Sequence, residues 1–449
     1  MTPEDATIGR SLSSGLIASF EERFTEDLRD RVIQNMLAAQ PLDSVALRHD
    51  IVTATSHAVS HRLDGWKATH QGKSGRCWIF AGLNLLRVSA AHSMGVADFE
   101  FSQSHTMFWD KLERANFLLE ALIETADRDI DDRTVAFLLD NLVNDGGQWH
   151  MFLAIVERHG VVPRDLMPET PSSQDTAKMN ARLRTVIRRA AKSVRSAAND
   201  PVAARRIKAE TLEVVFRILA LHLGTPPTRF QWQWTDDANV FHRDPPTTPV
   251  EFADRYVTLP LDEYVCLVHD PRPDRHVGEV LTVRYLGNVI DAPPVRYLNV
   301  DVDTMRTVVR RTLESDEPVW FGCDTDKMVV DELGIWDSKL YDYEAIYRAD
   351  LTMTKQDRVE YHESQMTHAM IFTGVDIADG VVSHWRVENS WGSEKGQKGF
   401  YTMNDNWFGD YVFEVAVRRS SLPEALRDAV AGPVTVLEPW DPMGALATR

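Results

Sequence analysis

The spacing of apolar residues along this chain changes character several times, and each change predicts a different kind of element. Over 11–40, apolar and charged residues alternate at helical spacing, which predicts one or two N-terminal helices. The stretch 47–67 is polar and loop-like. Residues 77–92 are apolar nearly all round, with Arg87 the single charge. A helix of that kind is central and buried. Phe117, Leu118, Ala121 and Leu122, then Val135, Leu138, Leu139 and Leu142, predict helix over 116–144, which Asp145-Gly146-Gly147 breaks. Residues 151–159 are helical again, and Gly160 followed by Pro163 ends them.

Beyond residue 171 the pattern shifts. An Arg/Ala-rich helical stretch (177–222) gives way to a loop dense in Pro, Thr and Trp (225–250). Strand-like runs follow at 256–259, 265–268 and 280–285. The segments 318–323, 369–376, 381–388, 399–403 and 411–417 then alternate or run apolar between turn residues, which predicts a β-dominated region. The last segment, 436–449, reads as an extended tail. The fold class is therefore α+β, helical first and β-rich later, with a cleft expected between the two parts.

Composition narrows this. A chain of 449 residues exceeds one small domain. No apolar stretch is long enough to cross a bilayer, and Met1-Thr2-Pro3-Glu4-Asp5-Ala6 lacks the basic start and apolar core of a secretory signal. Three cysteines, Cys77, Cys266 and Cys323, are too few and too odd for a disulfide framework, and a reducing cytoplasm is expected. Net charge of -18 argues against a polyanion as main partner. The exception is 178–208, with ten Lys or Arg against the single acid Asp200. We read it as a solvated helix face balanced by acidic neighbours, because counterion-release binding needs several uncancelled basic contacts.

The chemistry gathers at three motifs. Cys77 opens the buried helix, where the helix dipole favours a thiolate. Upstream, Gln71 carries an amide able to donate to a developing oxyanion, shared with the Cys77 N–H. His368 stands at the mouth of a strand, rigidly placed to take the thiol proton and return it to a leaving amine. Asn389 follows after enough chain for a strand, a turn and a return strand, which sets it beside His368 to fix the imidazole tautomer. Trp391 then shields that hydrogen bond from water. This is the equipment of a cysteine peptidase, with a thiol ionised well below the free value of about 8.5. Gly146 and Gly147 either end a helix or line a cleft where substrate backbone approaches closely; the second is favoured. Cys266 and Cys323 read as core thiols. No cluster has metal-ligand spacing and no glycine loop has phosphate-binding spacing, so neither metal nor cofactor is expected.

The residues Gln71…Ser74-Gly75-Arg76-Cys77-Trp78, Asp145-Gly146-Gly147-Gln148-Trp149, Pro318 to Asp324, His368-Ala369-Met370, Glu388-Asn389-Ser390-Trp391-Gly392 and Trp440 to Ala447 give the chain a resemblance over nearly its whole length. It resembles the papain superfamily and, within it, the bleomycin hydrolase and aminopeptidase C family. The resemblance implies a papain-like two-lobe fold with large, mainly helical insertions. The expected parts are an N-terminal helical arm (1–44), a helical lobe (45–171) with an insertion at about 110–142, an inserted helical or hook-like segment (172–290), a β-rich lobe (291–435) and a tail in the cleft (436–449). It implies a cytoplasmic homohexamer acting on peptides and bleomycin-like amides. It also implies a tail that leaves room for one residue before the scissile bond, Ala447 lying at the substrate's free amine, with trimming of Thr448-Arg449. Two departures stand out. Ser74 replaces the disulfide cysteine of secreted papain relatives, and His150 replaces an expected acid, which touches local substrate contacts only. The rivals are an endopeptidase with a displaced tail and a non-catalytic peptide- or nucleic-acid-binding barrel.

Overall fold

The computed structural model describes residues 11–447. Contacts divide them into two compact units, one holding residues up to Ala54 with Lys339–Thr352 and the other Thr55–Ser338 with the remainder. The first unit contains the predicted N-terminal helices, Ser14–Glu26 and Leu28–Ala39. Ser13 caps the first through the Leu16 N–H at 3.2 Å, and Asp27 caps the second through the Arg29 N–H at 2.8 Å. Neither helix buries a residue.

The second unit is α+β. Its centre is the Cys77–Met94 helix, buried without interruption from Cys77 to Arg87 and ended by Gly95 in the left-handed conformation (φ 66°). Around it pack Gln103–Glu124, Arg133–Asp140 and Trp149–His159, joined in one apolar cluster with Ala177–Ser196 and Pro201–Leu223. The helix expected over 116–144 is thus two helices, the first of which begins at Gln103, ahead of the expected insertion at 110. The 47–67 stretch is not all loop: it holds the helix His49–Ala54 and the short strand His61–Arg62. Residue 256 ends the helix Pro249–Tyr256, so 256–259 is no strand. Pro249 and the Thr248 capping box set a helix there that β-prone Tyr and Val had masked.

A sheet of twelve strands carries the other half of the molecule. Its central part is antiparallel and runs Tyr264–Val268, Val412–Arg418, Val319–Cys323, His368–Ala378, Val381–Glu388 and Phe400–Asn404. Val280–Val283 and Tyr297–Asn299 extend it beyond Tyr264–Val268, and Val434–Leu437 pairs in parallel with Val280–Val283 at the edge. The boundary expected at 290 therefore falls inside one sheet, and the tail boundary at 436 falls inside a strand. The strands expected at 265–268 and 280–285 are present as Tyr264–Val268 and Val280–Val283, and the first of them pairs with Val412–Arg418, more than a hundred residues away.

Candidate active site

Cys77 begins its helix with no side-chain cap at Arg76 and no acid in the first turn. The free N–H groups of that turn are therefore available to an anion. Those of Cys77 and Trp78 reach the Cys77 sulfur, and so does the N–H of Ala369, the residue after His368. A sulfur on the helix thus sits at the mouth of the His368–Ala378 strand. Burial pushes the Cys77 thiol up to about 12, and these three N–H groups pull against that rise. The expected low-pKa thiol is therefore not a property of the sulfur alone in this fully buried setting. Ionisation there needs a base to take the proton and leave net charge unchanged, and the candidate is His368, whose neighbour Ala369 donates to the sulfur.

That base is held as the hairpin predicts. His368–Ala378 and Val381–Glu388 pair antiparallel, with Ile371 opposite Glu388, which returns the chain to His368. The His368 Nε2 lies 2.8 Å from Asn389 Oδ1. An amide oxygen only accepts, so the neutral ring carries its proton on Nε2 and its lone pair on Nδ1. Asn389 Oδ1 is itself fixed by the Ser390 N–H at 2.7 Å. The Trp391 ring lies 4.9 Å from the His368 ring, tilted by 38°.

Gln71 is buried and pinned to the same motif. Its N–H donates to the Ser390 carbonyl at 2.8 Å, and its Oε1 accepts from the Ser390 hydroxyl at 2.5 Å. Its Nε2 donates to the Ser74 carbonyl at 2.5 Å. The amide plane is thereby oriented between the loop that carries Cys77 and the turn that carries Asn389. Ser74 does structural work in place of a disulfide: its hydroxyl donates to the Gln71 carbonyl at 2.6 Å and accepts from Arg76 Nε at 2.8 Å.

Gly147 packs against the nucleophile helix at Trp78. A Cβ there would lie 2.5 Å from the Trp78 indole, so only glycine lets the chain cross that ring. On its other side Gly147 pairs with Ala447 as an antiparallel bridge, while Gln148 Nε2 donates to the Ala445 carbonyl at 2.5 Å. Gly146 turns its carbonyl to Arg114 Nη2 at 2.8 Å. Cys77, His368 and Ala447 are all fully buried. The tail thus lies against the Gly147 backbone, bridged to it at Ala447. Thr448 and Arg449, and with them the expected trimming, lie outside the described residues.

Three supports were not read from the sequence. Arg76 makes a fork with Glu169 (3.0 and 2.7 Å) at the base of the nucleophile loop. Asp145 accepts from the Gly75 N–H (3.2 Å), Lys111 (2.6 Å), Asn180 (2.7 Å) and Thr176. Burial pushes its carboxyl up, but Lys111 and these hydrogen bonds overcome that and hold it well below the usual carboxylate range. Arg87 Nη2 meets Glu388 Oε1 at 2.6 Å, and Trp66 and Asn84 complete that carboxylate's shell. The signal for this last pair was visible: a single charge in an apolar helix needs a buried partner. His150 lines a cavity with Tyr264, Cys266 and Arg296, and burial lowers its pKa to about 4. Cys266 and Cys323 are buried, free thiols, as expected.

The Peptidase C1-like family matches residues 11–444. Aminopeptidase C of Listeria innocua is 38% identical, over 96% of this chain and 98% of that one. Human bleomycin hydrolase is 37% identical, over 97% and 99%. The crystal structure of PepW from a Lactobacillus superposes with a TM-score of 0.95 at 38% identity, covering 98% of this chain and all of the other. On its sequence, and on an architecture shared from end to end with a solved relative, this chain belongs to the Peptidase C1-like family.

Proposed function

We propose that this protein is a cysteine aminopeptidase that removes N-terminal residues from peptides, and cleaves bleomycin-like amides, through a thioester acyl-enzyme. Cys77 Sγ attacks the carbonyl carbon of the first residue as its proton passes to His368 Nδ1. The oxyanion is met by the Gln71 amide and the Cys77 N–H, donors of a kind worth on the order of 3 kcal/mol each to the transition state. His368 returns the proton to the departing amine, then takes one from the water that opens the thioester. Asn389 keeps the ring in register, and Trp391 keeps water from that bond. No step calls for a metal or cofactor.

The observation that carries the exopeptidase reading is the Gly147–Ala447 pairing. With the tail occupying the strand edge, an extended substrate has nowhere to run on its N-terminal side, and Ala447 stands where the free amine would end. Amides of amino acids with a free α-amino group are expected to be hydrolysed at least 10-fold faster than their N-acetylated counterparts. Equal rates would establish the endopeptidase with a displaced tail.

The cytoplasm is the proposed compartment, supported by three free cysteines. Among the described residues no helix is long and apolar enough to cross a membrane. Assembly into a homohexamer is proposed on the resemblance and is supported by Ile17, Phe20, Phe24 and Val32, exposed on helices that bury nothing. Nucleic acid is not a proposed partner. Arg205 and Lys208 share Glu120, and Arg188 and Arg195 donate to the carbonyls of Leu139, Thr125 and Arg128, so much of the basic stretch is already engaged.

A further inference from the structure

Among the described residues, the tail leaves the sheet at Leu437 and its backbone is next bonded to the body of the protein at Ala445 and Ala447. Between these points stands Asp441. Its carboxylate receives both arms of the Arg272 guanidinium, Nη1 to Oδ2 at 3.0 Å and Nη2 to Oδ1 at 2.8 Å. Arg272 is held from behind by Asp270, through Nε at 2.9 Å and Nη2 at 2.6 Å. Arg275 completes a square of two cations and two anions, 3.8 Å from Asp441 and 3.9 Å from Asp270. The side chains are 10% exposed at Asp441, 12% at Arg272 and fully buried at Asp270. Asp441 also accepts from the Met443 N–H at 2.9 Å, which starts the turn Pro442–Gly444 that aims the chain at the cleft. Beside it the Arg133 guanidinium lies 3.9 Å from the Trp440 ring.

We propose that the Arg272–Asp441 pair is a latch that sets the balance between exopeptidase and endopeptidase cleavage by holding the tail down. The proposal rests on the reading above, that the tail closes the N-terminal side of the cleft. The physical argument is one of leverage. Beyond Asp441 the tail is held by the Gln148 bond to the Ala445 carbonyl, the Gly147–Ala447 bridge and the burial of Met443 and Ala447, small contacts near a chain end, where local opening is easiest. A forked, charge-assisted pair shielded from water does not exchange readily with solvent. Loss of either partner removes the fork and unbalances the square, leaving Asp270 alone to face Arg272 or the more distant Arg275 alone to face Asp441, which weakens the hold on the tail. Neither residue touches Cys77, His368, Asn389 or Gln71, so a change in selectivity here reports the tail and not the chemistry.

The test uses the full chain with Arg272→Gln, Arg272→Lys and Asp441→Asn. Free-amino and N-acetylated fluorogenic peptide amides are compared, with burst alkylation of Cys77 by iodoacetamide counting folded sites. Hydrogen exchange over 441–447 follows the tail directly. In the parent enzyme the free-amino substrate is preferred. In Arg272→Gln and Asp441→Asn that preference is expected to fall at least 10-fold, chiefly through a gain on the blocked substrate, and tail amides to exchange at least 10-fold faster. Arg272→Lys, which keeps the charge and loses the fork, is expected to lie between; it decides the matter should Arg272→Gln give no alkylation burst. Preference and exchange within 2-fold of the parent in folded variants would overturn the latch while leaving the aminopeptidase reading intact. A parent enzyme that cleaves both substrates equally would instead overturn the reading on which the latch depends.

Discussion

Cys77, the proposed nucleophile, is not activated by its surroundings unaided. Burial opposes the thiolate and three N–H groups favour it, and the balance lies with burial. A sulfur so placed reacts when an imidazole can hold its proton, and Cys77 also draws on the N–H groups of its helix N-terminus and of Ala369, which neither other thiol has. Cys266 and Cys323 are equally buried, and for both burial is the first cause of a thiol pushed well above its ordinary value. Iodoacetamide on the folded enzyme near neutral pH is therefore expected to label one equivalent, at Cys77, and His368→Ala to slow that labelling at least 100-fold. Labelling of all three at similar rates, read by peptide mass, would count against an activated site. At this scale the chain offers Cys77, Gln71, His368 and Asn389 as candidates, because each chemical role admits few residue types. Asp145 is not among them. Its place in the sequence reads as a helix break, and only folding brings Lys111, Thr176 and Asn180 around its carboxylate.

Among the elements, the tie that matters most joins the nucleophile helix to the strand ahead of Asn389. Arg87 stands on the same helix as Cys77, and Glu388 immediately precedes Asn389, so their ion pair fixes the helix relative to the hairpin that presents the base and its orienter. Both side chains are almost wholly buried, at 2% and 0% exposure. Arg87→Met leaves Glu388 charged in a dry site, at a cost of roughly 3–5 kcal/mol. Urea unfolding of Arg87→Met is expected to show a loss of that order, and Arg87→Met with Glu388→Gln to recover part of it. A loss below about 1 kcal/mol would mean that water reaches Glu388. The periodicity of 77–92 foretold the helix and its burial. What Arg87 pairs with was hidden, because an ion pair between elements three hundred residues apart leaves no periodic trace in either.

Across the whole molecule, the β-rich face carries a carboxyl that sets a pH dependence. Glu414 is 2% exposed on the Val412–Arg418 strand, and burial raises its pKa to about 8 from an ordinary 4.5. Below 4.5 it is protonated in folded and unfolded chains alike, and its contribution to stability is whole. Between 4.5 and 8 the unfolded chain releases the proton that the folded chain keeps, so stability falls as pH rises, and the loss is complete above about 8. His105, His150 and His269, lowered by burial to about 3, 4 and 4, act oppositely up to 6.5, so the parent profile alone masks the effect. The difference between parent and Glu414→Gln isolates it. The thermal midpoint of Glu414→Gln relative to the parent is expected to rise steadily from pH 5 to pH 7.5; a constant difference would show that Glu414 is already ionised in the folded state.

What the sequence by itself determined is the set of elements with strong local periods and the candidate set Cys77, Gln71, His368 and Asn389, because a helix repeat and the short motif around each candidate are written in neighbouring residues. Tertiary structure decided the rest: that strands 264–268 and 280–283 belong to the same sheet as 412–418, that Asp145 and Glu388 brace the site, and that the tail is seated by Gly147 and gripped by Arg272. Each of these is a pairing between segments distant along the chain. Its energy comes from burial and charge that exist only once the chain has closed on itself.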